Sequence, residues 1–233
     1  MKSIGILQPG RLGDIIICLP IAKYYYDLGY TVYWPIFKNF TKMLCERVDY
    51  VNFLPVTNDV YQCISHAKGT FINYNVEKVL DLAATFPGSS VTEEYVKLGD
   101  GYGDEKFDEF KYRKANVPFE QKWNLHYKRN LIEEENVYNL YVKQSNYDLI
   151  SLKHSQGELN VKIESKNQVI TLNENHNIFD WRKIIENAST IALVDSAMAN
   201  LVEQLNVDVK KILLMKPGHP GPTFKTNWII KKV

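Results

Sequence analysis

The chain has 233 residues, enough for one large domain or two small ones. Lysine plus arginine (28) nearly balances aspartate plus glutamate (27), which excludes a generally basic nucleic-acid binder and leaves only a local basic patch open. Apolar residues make up 45 %, yet no run reaches the roughly 18 needed to span a bilayer and no signal-peptide core opens the chain, so a cytoplasmic globular protein is expected.

Ile4 to Leu7 is short, apolar and partly β-branched, which predicts a buried strand. Ile15 to Leu28 is too long an apolar stretch for one strand and predicts a buried helix. Between them stands Gly10-Arg11-Leu12-Gly13-Asp14. Its two glycines permit positive φ, so the peptide can turn sharply and present N–H groups at a helix start, where anions are attracted. Asp14 lies at that start, either as a cap or facing a cleft. Tyr30–Ile36 predicts a second strand with Pro35 marking its end, Phe40–Arg47 a short helix and Val51–Leu54 a third strand. Asp59–His66 predicts another short helix and Thr70–Asn73 a fourth strand. This alternation implies βαβ units and a parallel sheet, whose ligands sit beyond the carboxyl ends of the strands.

From Val79 to Gly103 the pattern dissolves. Pro87-Gly88-Ser89-Ser90 reads as a loop, and Gly99-Asp100-Gly101-Tyr102-Gly103 lacks both the preceding strand and the spacing of a dinucleotide fingerprint. Asp104, Glu105, Asp108 and Glu109 read as a solvated helix face rather than a metal site. A long irregular segment of this kind suits an acceptor-side role. Lys106–Ala115 and Phe119–Glu135 predict helices broken at Pro118. The second runs basic then acidic, from Lys122, Lys128 and Arg129 to Glu133, Glu134 and Glu135, against the macrodipole preference. Trp123, Tyr127 and Leu131 would form its apolar stripe.

Tyr147–Leu152 restarts the strand pattern, and the loop Lys153-His154-Ser155-Gln156-Gly157 puts a cation, a histidine and a hydroxyl beyond its end. Leu159–Ile163 and Gln168–Leu172 predict strands, Asn177–Ala188 an amphipathic helix and Ile191–Val194 a buried strand. Asp195-Ser196-Ala197 turns into a helix over Met198–Leu205. Asp195 or Ser196 suits a helix cap; alternatively, Ser196 and the free N–H groups of the first turn receive a diphosphate. Ile212–Met215 predicts a strand, Lys216–Pro222 a turn, and Trp228–Val233 a closing strand or a segment packed back on the first domain. Each half therefore offers a helix N-terminus at a strand end. Cys18, Cys45 and Cys63 contain no C-x-x-C pair, so neither a zinc site nor a disulfide framework is indicated, and fifteen tyrosines with four tryptophans suit sugar or base stacking.

Two stretches resemble a known family. Pro9-Gly10-Arg11-Leu12-Gly13-Asp14-Ile15-Ile16, followed by Leu19-Pro20, resembles a loop ending in Leu/Met-Gly-Asp before a helix containing Leu-Pro. Val194-Asp195-Ser196-Ala197-Met198-Ala199-Asn200-Leu201 resembles Asp-Ser/Thr-Gly-x-x-His-Leu, with Ala197 in place of glycine and Asn200 in place of histidine. Both are features of the GT-B glycosyltransferases, nearest the ADP-heptose:lipopolysaccharide heptosyltransferase group. The resemblance implies an α/β, GT-B-like fold of two small Rossmann-like domains facing across a cleft, with residues 1–140 on the acceptor side and 141–233 binding the nucleotide sugar. It implies an inverting, metal-independent glycosyltransferase of polysaccharide-biosynthesis type. Such an enzyme moves a hexosyl or heptosyl group from a nucleotide-diphosphate donor to a hydroxyl of a glycan or other acceptor, without a resident cofactor. Asp14 would be the catalytic base, with Gly10, Arg11 and Gly13 stabilising charge on the acceptor side. Asp195, Ser196, Ala197, Met198 and Asn200 would hold the donor, with Lys153, His154 and Ser155 as further contacts. Asparagine still hydrogen-bonds but cannot supply the cation a histidine can, so the identity of the donor stays open.

Three other readings compete. A Rossmann-type oxidoreductase needs a full glycine fingerprint and an acid closing the second strand, and Gly10-Arg11-Leu12-Gly13 and Pro35-Ile36 supply neither. A catalytically inactive nucleotide-sugar or glycan-binding protein accommodates Ala197 and Asn200. A virus-type glycosyltransferase acting on modified DNA bases meets the near-neutral charge, since duplex binding usually needs a basic face.

Overall fold

The computed structural model describes residues 2–97, 105–154, 157–215 and 221–233. They form two compact units, Met1–Lys128 and Arg129–Val233. The division falls one helix earlier than the expected 140, because the helix Leu131–Tyr141 packs within the second unit.

The first unit runs β1 (Ser3–Leu7), α1 (Leu12–Asp27), β2 (Thr31–Phe37), α2 (Lys38–Cys45), β3 (Asn52–Val56), α3 (Cys63–Asn73), β4 (Lys78–Asp81), α4 (Thr92–Lys97) and α5 (Phe107–Ala115), then a 3₁₀ turn over Phe119–Trp123. Its four strands are parallel in the order β3-β2-β1-β4. All five residues of β1 are buried, as expected of a central parallel strand covered on both faces. Gly5 sits there because the Phe71 ring of α3 lies against its backbone; a Cβ would come within 2.5 Å of that ring. The chain lays β2 and β3 to one side of β1 and then returns to lay β4 on the other. That reversal makes the carboxyl ends of β1 and β4 the topological switch point of the unit.

Thr70–Asn73, expected as a strand, is the last turn of α3, and the fourth strand is Lys78–Asp81. The stretch is too short to show its period alone. With Ile64, Ala67 and Phe71 buried together on the helix, the 3.6-residue repeat is clear. Phe119–Glu135 is likewise not one helix: a 3₁₀ turn ends at Trp123 and α6 (Leu131–Tyr141) starts afresh. Asn130 caps it, its side chain accepting from Glu133 N at 3.2 Å. The break removes the dipole conflict, because Glu133 and Glu134 now stand in a first turn, where acids are favoured. Trp123, Tyr127 and Leu131 form no helical stripe.

The second unit continues with β5 (Tyr147–Ser151), β6 (Lys153–His154), β7 (Gly157–Glu158), β8 (Gln168–Ile170), a 3₁₀ turn over Ile178–Trp181, α7 (Arg182–Asn187), β9 (Thr190–Val194), α8 (Ala197–Leu205), β10 (Lys210–Met215) and β11 (Trp228–Lys232). Its main sheet is parallel in the order β11-β10-β9-β5-β8, so the switch point lies between β5 and β9. β6 and β7 pair as a short antiparallel hairpin where a loop was expected, and Leu159–Ile163 forms no strand. The closing segment is an edge strand of this sheet, pairing Lys211 with Trp228 through Met215 with Lys232. Fully buried Glu203 on α8 secures it. Its carboxylate accepts from Lys225 N (2.6 Å), Thr226 N (3.2 Å), Thr226 Oγ1 (2.5 Å) and Trp228 Nε1 (2.8 Å).

Among the described residues no helix is long and apolar enough to cross a membrane.

Candidate functional site

At the β1/β4 switch point the chain leaves β1 through Gln8-Pro9-Gly10-Arg11 and enters α1. Neighbouring strand ends hold this loop on both sides: Phe37 N donates to Pro9 O at 2.7 Å, and Leu82 N to Leu7 O at 3.0 Å. Neither glycine of the loop makes the turn. The residue at positive φ is Arg11, at 60°, preceding a helix that already includes Gly13. Gly10 is required for a different reason: a Cβ there would run into the Phe37 ring. The Arg11 guanidinium stands over the Phe86 ring, 5.5 Å from its centre. Phe86 belongs to the irregular stretch after β4, which Asp81 ties down. The Asp81 carboxylate accepts from Ala83 N (3.2 Å), Ser89 Oγ (2.8 Å), Ser90 N (2.7 Å) and Ser90 Oγ (2.7 Å).

Asp14 is in the first turn of α1, where the helix dipole favours a carboxylate, and makes no capping bond. Its side chain is 14 % exposed and its Oδ1 lies 3.6 Å from Lys111 Nζ on α5. That ammonium also donates to Gln8 Oε1 and Leu82 O, each at 2.7 Å. Gln8 in turn donates from Nε2 to Gly10 O at 3.0 Å. Gln8, Lys111, Asp81 and Phe86 escape a reading by sequence. Lys111 lies in a helix so rich in charge that it reads as a solvated face, although α5 in fact buries Asp108, Phe110, Lys111, Tyr112 and Ala115. The one local signal for Gln8 is a polar residue directly following a buried strand.

At the β5/β9 switch point Ser151 is in register with Leu193, so Lys153 and His154 leave one strand beside the exit of the other, where Asp195 and Ser196 stand. The structure thus brings together two stretches far apart in the chain. Ser196, in extended backbone at φ −158°, caps α8, its hydroxyl accepting from Ala199 N at 3.4 Å. That bond answers the Ala199 N–H, and the N–H groups of Ala197 and Met198 are the first-turn donors without a partner among the described residues. Asn200 is 4 % exposed; its Nδ2 donates to Ser196 O at 3.1 Å, while its Oδ1 has no partner among the described residues. Both amide atoms of Gln204, one turn further along, are also buried without partners among the described residues. Ser155 lies outside the described residues, as do the glycine-rich stretch 99–103, Asp104 and residues 216–220 of the turn before β11. Among the described residues no group of three or more His, Cys, Asp or Glu side chains could hold a metal ion.

No protein-family model and no curated protein matches the chain. Solved structures do. A family 9 glycosyltransferase from Veillonella parvula superimposes with a TM-score of 0.64 over 100 % of this chain and 86 % of that one, at 12 % identity. The ADP-heptose lipopolysaccharide heptosyltransferase II of E. coli gives 0.54 over 99 % and 90 %, also at 12 % identity. The E. coli heptosyltransferase WaaC with ADP-2-deoxy-2-fluoro heptose gives 0.50 over 99 % and 93 %, at 11 % identity. The chain shares the α/β, GT-B-like architecture of these proteins along its whole length.

Proposed function

We propose that the protein is an inverting, metal-independent glycosyltransferase that moves a sugar from a nucleotide-diphosphate donor to a hydroxyl acceptor. The observation that carries this reading is the full-length likeness to glycosyltransferases of a chain with ligand-ready groups at both switch points: a carboxylate, Asp14, at the first and open helix N–H groups at the second. In this reading the first unit serves the acceptor and the second the donor. The acceptor hydroxyl oxygen attacks the anomeric carbon and its proton passes to Asp14. The bond from that carbon to the diphosphate oxygen breaks, and its electron pair leaves on the nucleoside diphosphate. The Ala197 and Met198 N–H groups and the α8 dipole stabilise that departing charge. Asn200 Oδ1, without a partner among the described residues, is the acceptor for an N–H or O–H of the ligand. Arg11, with Gly10 leaving room for the Phe37 ring and Gly13 in the first turn of α1, faces charge on the acceptor side, and Asp195, Lys153, His154 and Ser155 are further donor contacts.

Asp14→Asn is expected to lower the turnover of a nucleotide sugar by about a hundredfold or more, while ADP or UDP affinity by calorimetry stays at the parent's value. Normal transfer by this variant would remove Asp14 as the base. Ser196→Ala is expected to weaken nucleoside diphosphate binding about tenfold, because α8 loses its cap and the ligand a hydroxyl. Unchanged affinity would remove Ser196 from the donor site.

A further inference from the structure

We infer that Lys111 is a positioning residue for Asp14, an inference that rests on the glycosyl-transfer reading above. Three groups surround its ammonium: Gln8 Oε1 at 2.7 Å, Leu82 O at 2.7 Å and Asp14 Oδ1 at 3.6 Å. An ammonium has three N–H bonds in fixed tetrahedral relation, so two short bonds to the ends of β1 and β4 direct the third. Gln8 and Leu82 directly follow the last residues of the two strands that form the switch point, and Asp14 stands on the helix α1. One buried cation therefore ties the carboxylate on α1 to the residues that leave β1 and β4.

The neighbouring acid on α5 has a cation of its own. Asp108, one turn before Lys111 on α5, is bonded to Lys122 at 2.5 Å, with both side chains fully buried. The side chain of Lys111 is 5 % exposed and that of Asp14 is 14 % exposed, so water screens their attraction weakly. The bond to Gln8 also fixes which end of that amide faces inward, leaving Nε2 to hold Gly10 O. Lys111 thus shapes the loop at Gly10 and orients the carboxylate at Asp14 together. It approaches no reacting atom in this role and acts through Asp14.

Two measurements test this. The first needs no substrate: the side-chain ¹⁵N resonance of Lys111 in the full chain, with and without Asp14→Asn. Coupling predicts a slowly exchanging ammonium whose shift moves and whose exchange quickens in the variant. An unchanged resonance overturns the inference. The second is a double-mutant cycle on nucleoside diphosphate release from UDP-glucose, ADP-glucose and GDP-mannose with a glycoside acceptor. Lys111→Met is expected to lower kcat about tenfold with donor KM held, and to add nothing to the loss already caused by Asp14→Asn. Additive losses, or a loss confined to KM, overturn it. A parent chain that releases nucleoside diphosphate from none of these donors, yet shows the coupled resonance, overturns the transfer reading and supports the Lys111–Asp14 coupling.

Discussion

Arg11 holds a backbone conformation that L side chains rarely adopt, at the point where β1 gives way to α1. Glycine would be the unstrained choice, and glycines stand close by at 10 and 13. The strain is therefore tolerated for the side chain, whose guanidinium reaches the Phe86 ring. Arg11→Gly is expected to raise stability by about 1 kcal/mol through relief of positive φ, while transfer falls because the cation is lost. Thermal denaturation and turnover, measured on the same variant, should move in opposite directions. A fall in both would mean that the cation–π contact outweighs the strain.

At the scale of elements, the packing of α5 against the 3₁₀ turn at Phe119–Trp123 rests on a buried ion pair. Lys122 and Asp108 are both fully buried and 2.5 Å apart, and Lys122 also lies 5.7 Å and 5.6 Å from the Phe119 and Trp123 ring centres. Replacing one partner leaves an uncompensated charge out of water, so Lys122→Met is expected to cost about 3–5 kcal/mol in chemical denaturation. Replacing both, as in Asp108→Leu with Lys122→Met, should recover most of that loss, because buried pairs are often matched by apolar groups of similar volume. A double variant as unstable as the single one would show that the pair holds the element by directional bonding. Read as sequence, these two residues look like solvated charges on two helices. Pro118 marks the first break correctly, but nothing local announces the second, between Trp123 and Asn130. There Lys128 N donates to Arg47 O at 2.6 Å, a bond between residues remote in sequence.

Across the whole molecule, one thiol and three phenols are buried in their neutral forms. Burial pushes the Cys18 thiol from 9.0 up to about 12, and raises the phenols of Tyr50, Tyr112 and Tyr147 above their ordinary 10.0. In each case the folded chain keeps a proton that the unfolded chain releases. Their stabilising effect is thus complete below pH 9 and is lost as pH climbs from 9.0 through about 12. Urea midpoints are expected to hold steady from pH 7 to 8.5 and to fall steeply by pH 10.5. A flat profile would mean that these groups ionise without unfolding.

The sequence by itself determined the alternation of strands and helices, both strand–loop–helix turns and the residues at them, because period, glycine and proline punctuation and helix caps are local properties. The placement of Asp14 and Ser196 at helix starts is legible for that reason. Only the tertiary structure decided which strand ends adjoin: β1 with β4, which puts Lys111 on Asp14, and β5 with β9, which sets Lys153 and His154 beside Asp195 and Ser196. It also decided that Thr70–Asn73 is helix, that Arg11 and not a glycine takes the positive φ, and that Lys111, Lys122 and Glu203 are buried. For the adjoining strand ends and the buried charges the physical reason is the same. A charge buried beside its partner, or a strand fixed by its neighbour, depends on contacts between different elements, from 14 residues apart for Lys122 and Asp108 to 103 for Lys111 and Gln8, and the pattern of one element does not contain both sides of such a contact.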